Sequence, residues 1–240
     1  MWFCGIVVYV KEVFKMNIKG LKVNFLGDSI TEGVGVADIK NNRYDNRLAK
    51  MCELVSHNNY SVSGSRLAHQ THPSEKPHYD LCFCGRASGM DTSADMVIVY
   101  GGVNDYFHGD APFGEMGDTT PATYCGGVYF LMNYLRANYG DKPIIFMTPA
   151  RCFLRKEVDD SIPSTHAKKI IPGKPLIAYA DAIIETAKQF DIKVLDLYRD
   201  LGINPQNQQD FETYTNDGLH FNDAGHEVLA QKLKEFIESL

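Results

Sequence analysis

Continuous apolar runs of strand length recur along this 240-residue chain, and they constrain its fold more than any other feature. The runs lie at residues 22–26, 96–100, 144–147 and 192–197, with a weaker one near 60–62. Unbroken apolarity is typical of strands that are buried on both faces, as in a parallel sheet with helices on either side. Helical patterns separate the runs, so strands and helices are expected to alternate along the chain.

Three of the helical patterns have recognisable boundaries. Thr120 and Pro121 are expected to begin the first helix, and Gly140 to end it. Pro175 should begin the second, and the third should follow Asn222. Each pattern repeats its apolar residues at helical spacing, which predicts one core-facing side per helix. Those faces contain Tyr124, Val128, Leu131 and Leu135; Leu176, Ala180, Ile183, Ile184 and Ala187; and Val228, Leu229, Leu233, Phe236 and Ile237.

This alternation predicts an α/β fold: a three-layer α/β/α sandwich with a central parallel five-stranded sheet, flavodoxin-like in architecture. We expect a single domain over residues 16–240. Residues 1–15 are interpreted as an N-terminal extension, because Met16 leads directly into the first strand and is an alternative translation start. Three long loops are the expected walls of a substrate pocket. They lie at residues 66–92, 105–119 and 149–173.

Composition narrows the range of partners. The net charge of -6 argues against a nucleic-acid surface, where clustered Lys and Arg would be needed. The apolar segment at residues 2–10 is too short to span a bilayer, and no basic residue precedes it as in a signal peptide. Six cysteines in a chain of this size are typical of reduced residues, which favours a cytoplasmic location.

Four short motifs follow predicted strands or precede the last helix. They are Gly27-Asp28-Ser29-Ile30-Thr31, Ser63-Gly64, Gly102-Val103-Asn104-Asp105 and Asp217-Gly218-Leu219-His220. A serine in a tight strand-to-helix turn is either a reactive nucleophile or a simple helix cap. A histidine three residues after an aspartate is either a surface pair or an oriented base whose second ring nitrogen can face the serine.

Gly64 and Asn104 suit the binding of an oxyanion. A glycine offers a backbone N–H with no side chain in the way, and an asparagine offers a carboxamide N–H. Taken singly, each residue is equally explained as part of a turn. Together with a serine, a histidine and an aspartate, they complete the set of groups that a serine esterase requires.

In their order along the chain, the four motifs resemble the SGNH or GDSL hydrolase family. The signature residues of that family would here be Ser29, Gly64, Asn104 and His220. The resemblance implies hydrolysis of a carboxylic ester through an acyl-serine, without a metal or another cofactor. Ser29 would be the nucleophile, His220 the proton acceptor and Asp217 the residue that orients it. The Ser29 amide, the Gly64 amide and the Asn104 side chain would hold the oxyanion.

Other polar residues near these motifs have supporting interpretations. Asp28 and Asp105 are expected to brace the turns around Ser29 and Asn104. Tyr106 and His108 are candidate substrate-binding residues, because aromatic and polar groups together suit a short acyl group, such as acetyl, on a polar or carbohydrate alcohol. The alternative is a packed surface loop.

Several functional alternatives stay open at this point. The same site would serve an acyltransferase, a lysophospholipase or a thioesterase. A non-catalytic, flavodoxin-like phosphate or carbohydrate binder would use the glycine turn and leave Asn104 and His220 unexplained. A group of potential zinc ligands fits no zinc spacing, so an ordinary loop without metal is the preferred interpretation. These ligands are His69, His72, His78, Cys82 and Cys84.

Overall fold

The computed structural model describes residues 16–74, 76–153 and 174–240. The predicted N-terminal extension at residues 1–15 lies outside the described residues. So do residues 154–173, which form most of the third predicted loop.

Five parallel strands form one sheet, in the order β2-β1-β3-β4-β5. They are β1 Lys22–Gly27, β2 Ser56–Ser61, β3 Met96–Tyr100, β4 Ile144–Met147 and β5 Lys193–Leu195. The order reverses between β1 and β3, so a crevice opens at the carboxyl ends of these two strands. The parallel five-stranded sheet and its flavodoxin-like strand order confirm the predicted fold class.

Helices connect the strands and cover both faces of the sheet. In the described part of the chain they are α1 Ser29–Glu32, α2 Ile39–Asn42, α3 Tyr44–Met51, α4 Phe83–Arg86, α5 Val103–Phe107, α6 Tyr124–Tyr139, α7 Leu176–Ala187, α8 Leu197–Asp200, α9 Gln208–Tyr214 and α10 Asp223–Glu238. Short 3₁₀ helices lie at Pro77–Asp80, Ala87–Gly89 and Lys188–Phe190. None of the described helices is both long enough and apolar enough to cross a membrane.

The hydrophobic core is divided by the sheet into two layers. On one side, Phe25 and Ile98 pack with Leu48 of α3 and with Leu229 and Leu233 of α10. The alternation of side chains along each strand places the next residues on the other side of the sheet. Both faces are therefore buried, as the unbroken apolar runs predict.

The second layer uses α6 and α7. Leu26 and Val99 of the sheet pack there with Leu131 and Leu135 of α6 and with Ile183 of α7. The predicted core faces of α6, α7 and α10 are confirmed in outline. Ile184, Val228 and Phe236 are only partly buried, at the edges of those faces.

The weakest predicted strand was misplaced. The apolar run near residues 60–62 suggested it, but β2 begins at Ser56 and is polar along most of its length. It is an edge strand, and its polar side chains are held by hydrogen bonds. Asn58 Nδ2 donates to Asn24 Oδ1 at 3.1 Å, and Asn59 Nδ2 donates to Asp45 Oδ2 at 2.8 Å. A strand stabilised in this way has no apolar pattern to detect.

The start of α6 also differs from the prediction. The helix begins at Tyr124 rather than at Thr120 and Pro121, because Thr123 is its N-cap and accepts a hydrogen bond from the Gly126 amide at 3.1 Å. Pro121 lies in the preceding turn. β5 is shorter than the apolar run that predicted it, because α8 begins at Leu197.

His226 of α10 is a fully buried histidine at the contact between α10 and α3. Its Nδ1 accepts a hydrogen bond from the Tyr44 amide at 3.2 Å, and its ring stacks on the Tyr44 ring at 5.9 Å. Burial lowers the pKa of His226 to about 4, from 6.5. The ring is therefore neutral in the folded protein at pH values where it would be charged in the unfolded chain.

We expect this histidine to make the fold sensitive to acid. Its pKa is lower in the folded state, so the unfolded state binds more protons as the pH falls from 6.5 towards 4, and the folded state loses stability over that window. The free energy of unfolding should fall by about 2 kcal/mol between pH 7.5 and pH 5 through this group. Urea unfolding at both pH values, compared with His226→Gln, measures it.

Glutamine keeps an acceptor for the Tyr44 amide and does not titrate, so the variant should lose about 2 kcal/mol less than the native chain. Equal losses in the two proteins would contradict the prediction.

Candidate active site

The four sequence motifs meet at the carboxyl end of the sheet. Ser29 follows β1, Gly64 follows β2 and Asn104 follows β3, while His220 lies in the loop before α10. β1 is hydrogen-bonded to both β2 and β3, so the first three motifs leave the sheet from adjacent strands.

Ser29 is held in a tight turn at the start of α1. Gly27 is required there, because a Cβ at this position would lie 2.1 Å from Thr31 Oγ1. Asp28 is the N-cap of α1 and accepts a hydrogen bond from the Ile30 amide at 3.0 Å. Burial raises the pKa of the Asp28 carboxyl to about 6. Asp28 thus braces the turn that carries Ser29.

The His220 ring lies between the Asp217 carboxylate and the Ser29 hydroxyl. Its Nδ1 lies 2.7 Å from Asp217 Oδ2, and its Nε2 lies 3.0 Å from Ser29 Oγ. A carboxylate only accepts hydrogen bonds, so in the neutral ring the proton is on Nδ1 and Nε2 can accept the serine proton. The three side chains have the arrangement of a Ser-His-Asp triad, in which the carboxylate orients the imidazole.

The Asp217 carboxylate is kept charged by its own loop. Partial desolvation alone would raise its pKa, but the hydrogen bond from His220, the charge of that ring when it is protonated, and the backbone amides of Leu219 and His220 lower it to about 2. Those amides donate to Oδ1 at 2.9 and 2.7 Å. Gly218 (φ +84°) fits because a Cβ there would lie 1.9 Å from the Phe153 carbonyl oxygen.

The turn at Gly64 is hydrogen-bonded to α1, the helix that begins at Ser29. Glu32 of α1 accepts a hydrogen bond from the Ser63 amide at 2.7 Å and a second from the Ser63 hydroxyl. Gly64 itself has φ +72°, and the Tyr79 ring lies against its Cα. A Cβ at this position would be 2.1 Å from Tyr79 Cε1.

Asn104 lies beside this turn in α5. Its Nδ2 donates to the Ser65 carbonyl at 3.0 Å, and its Oδ1 lies 2.9 Å from His108 Nε2. The neighbouring Asp105 accepts hydrogen bonds from the Leu67 and Ala68 amides at 2.9 and 3.1 Å. These bonds fix the segment after Gly64 against α5.

The two candidate substrate-binding residues are placed differently. Tyr106 lines a cavity of about 410 Å³, whose wall also includes Arg151 and Phe153. The Phe153 amide donates to the Gly218 carbonyl at 2.8 Å, so this wall is joined to the loop of Asp217 and His220. Both ring nitrogens of His108 take part in hydrogen bonds within the protein.

Comparison of the sequence with protein-family profiles identifies the family of the chain. The profile of the GDSL-like lipase/acylhydrolase family matches residues 25–228. The chain belongs to this family. No curated protein sequence matches it. The family comprises hydrolases and related acyltransferases of the SGNH type, and a catalytic triad with an oxyanion hole is typical of it.

Solved structures show the same fold. A protein from Lactobacillus plantarum is 28% identical, with a TM-score of 0.76 over 93% of this chain and 99% of its own. A Bacteroides ovatus protein assigned to the GDSL-like lipases is 15% identical, with a TM-score of 0.65 over 92% and 100%. The salicylyl-acyltransferase SsfX3 of a tetracycline biosynthetic pathway is 16% identical, with a TM-score of 0.60 over 91% of this chain and 54% of its own.

Two arginines at the site of this GDSL-family member, Arg66 buried and Arg86 partly buried, were missed in the sequence. Arg86 donates to the Gly27 carbonyl at 3.0 Å and to Ser65 Oγ at 2.8 Å, and burial lowers its pKa to about 10. Arg66 is almost completely buried beside His108. Single arginines within a long loop form no periodic pattern, so nothing in the sequence marked them.

The loop with several histidines and cysteines has ordinary contacts. Cys84 Sγ donates to the Gly127 carbonyl, and Cys82 Sγ accepts from the Gly85 amide. Within residues 16–74, 76–153 and 174–240, no group of three potential ligands is placed to hold a metal ion. The five cysteines of these segments form no disulfide.

Because the Tyr79 ring lies against Gly64, replacing this glycine with alanine should destabilise the fold more than the same change at an uncrowded glycine. Gly64→Ala should lower the free energy of unfolding by about 2 to 4 kcal/mol, from the positive φ and from the contact with Tyr79. Gly20→Ala is the matched control, because Gly20 has φ +78° with open space around it, and should cost about 1 kcal/mol. Urea unfolding compares the two.

In a Tyr79→Ala background, Gly64→Ala should lower the free energy of unfolding by about as much as Gly20→Ala does in the native chain. Equal costs at the two glycines in the native background would show that Tyr79 does not constrain Gly64.

Proposed function

We propose that this chain is a serine esterase that hydrolyses short-acyl carboxylic esters of polar alcohols through an acyl-serine intermediate. The observation that carries the proposal is the position of the His220 ring, between Asp217 Oδ2 at 2.7 Å and Ser29 Oγ at 3.0 Å. A non-catalytic phosphate binder would need the turn at Gly27 but would have no use for this pairing.

In the first half of the reaction, Ser29 Oγ attacks the ester carbonyl carbon while His220 Nε2 takes its proton. The carbonyl oxygen becomes an oxyanion, and the imidazolium is stabilised by the Asp217 carboxylate. When the tetrahedral intermediate collapses, the C–O bond to the alcohol breaks and His220 returns the proton to the leaving oxygen. The acyl group stays on Ser29.

The second half repeats these steps with water. His220 Nε2 takes a proton from a water molecule, whose oxygen attacks the acyl carbon. Collapse of the second tetrahedral intermediate breaks the bond to Ser29 Oγ, which recovers the proton from His220. An alcohol in place of water would give acyl transfer by the same steps.

Three donors are assigned to the oxyanion. The backbone amides of Ser29 and Gly64 donate to no acceptor in the part of the chain that the structure describes. Asn104 Nδ2 carries two hydrogens, of which one is used by the Ser65 carbonyl. Fixed donors of this kind stabilise a developing negative charge more than the neutral carbonyl, because they require no reorganisation during the reaction.

The cavity beside the site supports a small, partly polar substrate. Its volume of about 410 Å³ is at the low end for a binding pocket. Tyr106 and Tyr198 contribute aromatic surface, and Arg151, Asn204 and Gln206 contribute polar groups. Such a lining favours an alcohol with hydroxyl groups, such as a sugar, over a long alkyl chain.

The first test is hydrolysis of p-nitrophenyl acetate, butyrate and octanoate by the native chain and by Ser29→Ala. We expect turnover to fall as the acyl chain lengthens, and to disappear in the variant because no acyl-serine can form. Ser88→Ala is the control, since this exposed serine donates to the Gly85 carbonyl and to no other group among the described residues. Turnover that persists in Ser29→Ala would refute the proposed nucleophile.

Adding glycerol to the acetate assay separates hydrolysis from transfer. Acetate as the main product would support the esterase, and acetylglycerol as the main product would favour an acyltransferase.

The second test concerns the oxyanion. Asn104→Ala should lower kcat by about 10²- to 10³-fold with little change in KM, because the lost donor acts on the transition state. Steady-state kinetics on p-nitrophenyl acetate measures both constants, and circular dichroism checks that the variant is folded. An unchanged kcat would remove Asn104 from the proposed oxyanion site.

A further inference from the structure

Behind Asn104, a chain of hydrogen bonds runs from a surface loop through two side chains that the proposed mechanism does not use. Asp80 Oδ1 accepts from Arg66 Nη2 at 2.8 Å, and Arg66 Nη1 lies 3.1 Å from His108 Nδ1. His108 Nε2 lies 2.9 Å from Asn104 Oδ1. Arg66 also donates to Ser74 Oγ at 3.0 Å. The chain therefore ends on the carboxamide assigned to the oxyanion.

The direction of each bond follows from the chemistry of the groups. A guanidinium has only donors, so His108 Nδ1 must be the acceptor in its bond with Arg66. The proton of the neutral His108 ring is then on Nε2, which donates to Asn104. Asn104 Oδ1 is consequently the acceptor, and the amino group of the carboxamide is directed to the Ser65 carbonyl.

This arrangement excludes the flipped carboxamide. In the flipped form, the amino group of Asn104 would face the Nε2–H of His108, and its oxygen would face the Ser65 carbonyl oxygen. Two hydrogen bonds would be replaced by two repulsive contacts. The flipped form would also turn the amide oxygen to the place where the substrate oxyanion forms, where only donors are useful.

Arg66 is well suited to fix the ring of His108. It is only 2% exposed, its guanidinium is paired with Asp80, and Asp105 and Asp110 are also near enough to stabilise its charge. Tyr79 covers the other side of His108, with its ring centroid 5.4 Å from that of the histidine. The same Tyr79 lies against Gly64, so one cluster of residues supports two of the proposed oxyanion donors.

We propose that Arg66 and His108 are positioning residues that orient the Asn104 carboxamide for oxyanion binding. The proposal rests on the proposed function, because it acts through Asn104. His108, which the sequence suggests as a substrate-binding residue, thereby takes a different role. The alternative is purely structural: Arg66 and His108 would only anchor the loop that carries Ser74 and Asp80.

The experiment is a double-mutant cycle between His108 and Asn104 on p-nitrophenyl acetate. His108→Ala should lower kcat by roughly 10- to 10²-fold, with KM within about threefold of native, because the ground-state ester uses the carboxamide little. In the Asn104→Ala background, His108→Ala should have no further effect on kcat, since the group through which it acts is already absent.

Two further variants sharpen the result. His108→Gln should recover most of kcat, because its amide can accept from Arg66 and donate to Asn104 as the ring does. Arg66→Met should lower kcat less than His108→Ala and should add nothing to it, because Arg66 acts through the histidine. His69→Ala is the control. His69 is an exposed histidine in the loop of Arg66, and within the described part of the chain its backbone amide, but not its side chain, is hydrogen-bonded, to the Pro121 carbonyl.

The outcomes separate this proposal from the proposed function. If Ser29→Ala and Asn104→Ala lose activity as expected, but His108→Ala has native kcat, or lowers it equally with and without Asn104, the positioning role is refuted and the esterase stands. A His108→Ala variant that changes the thermal midpoint and KM but not kcat supports the purely structural alternative. If Asn104→Ala has native kcat, both assignments fall.

Discussion

The imidazole of His220 hydrogen-bonds to Ser29, 191 residues earlier in the chain, and the rest of the site depends on that 3.0 Å contact. It is maintained by helices that pack on one face of the sheet. His226, six residues after His220, accepts from the Tyr44 amide, and the Tyr44 hydroxyl lies 3.1 Å from Thr31 Oγ1, two residues after Ser29. α10 is thus joined to α3, and α3 to α1, by buried contacts. A displacement of α10 would therefore separate the proposed base from its nucleophile, even though the core of the sheet remained intact.

The opposite side of the site is held by charge rather than by helix packing. The segment after β2 is buried from Gly64 to Ala68, and it includes the polar residues Ser65 and Arg66, which need partners there. Arg86 joins Ser65 to the Gly27 carbonyl, and Glu32 joins the same turn to α1. Removing one partner of the partly buried Arg86 contacts leaves a charged or polar group without compensation. A single substitution is consequently expected to disturb the positions of the proposed oxyanion donors more than it would disturb the sheet.

The parts of the fold that follow from apolar periodicity could be predicted from the sequence, and the parts held by polar contacts could not. β1, β3 and β4 were found because their residues are buried on both faces. β2 was misplaced because Asn58 and Asn59 are held by hydrogen bonds to residues distant in sequence. The candidate site residues were predicted from residue type and order along the chain. Arg66 and Arg86 were not, because a buried arginine is recognised only when its partners are known in space.

Two aspartates of the site show how one residue type is placed in opposite states. Asp217 has a side chain that is 46% exposed, and it receives two backbone amides and the His220 ring, which lower its pKa to about 2, so it is charged at any pH at which the protein would act. Asp28 receives one amide and is buried more deeply, and its pKa rises to about 6. As the pH rises from 3.8 to 6, Asp28 ionises in the unfolded chain before it does so in the folded chain, and the folded state loses stability over that window. Above pH 6, Asp28 is ionised inside the fold as well. The positive charge of Arg86 offsets part of that loss. Attraction between charges is mutual, so an ionised Asp28 would also favour the positive charge that the proposed mechanism places on His220. In the proposed mechanism, Asp28 at the cap of the Ser29 helix and Asp217 beside His220 would then stabilise the same imidazolium.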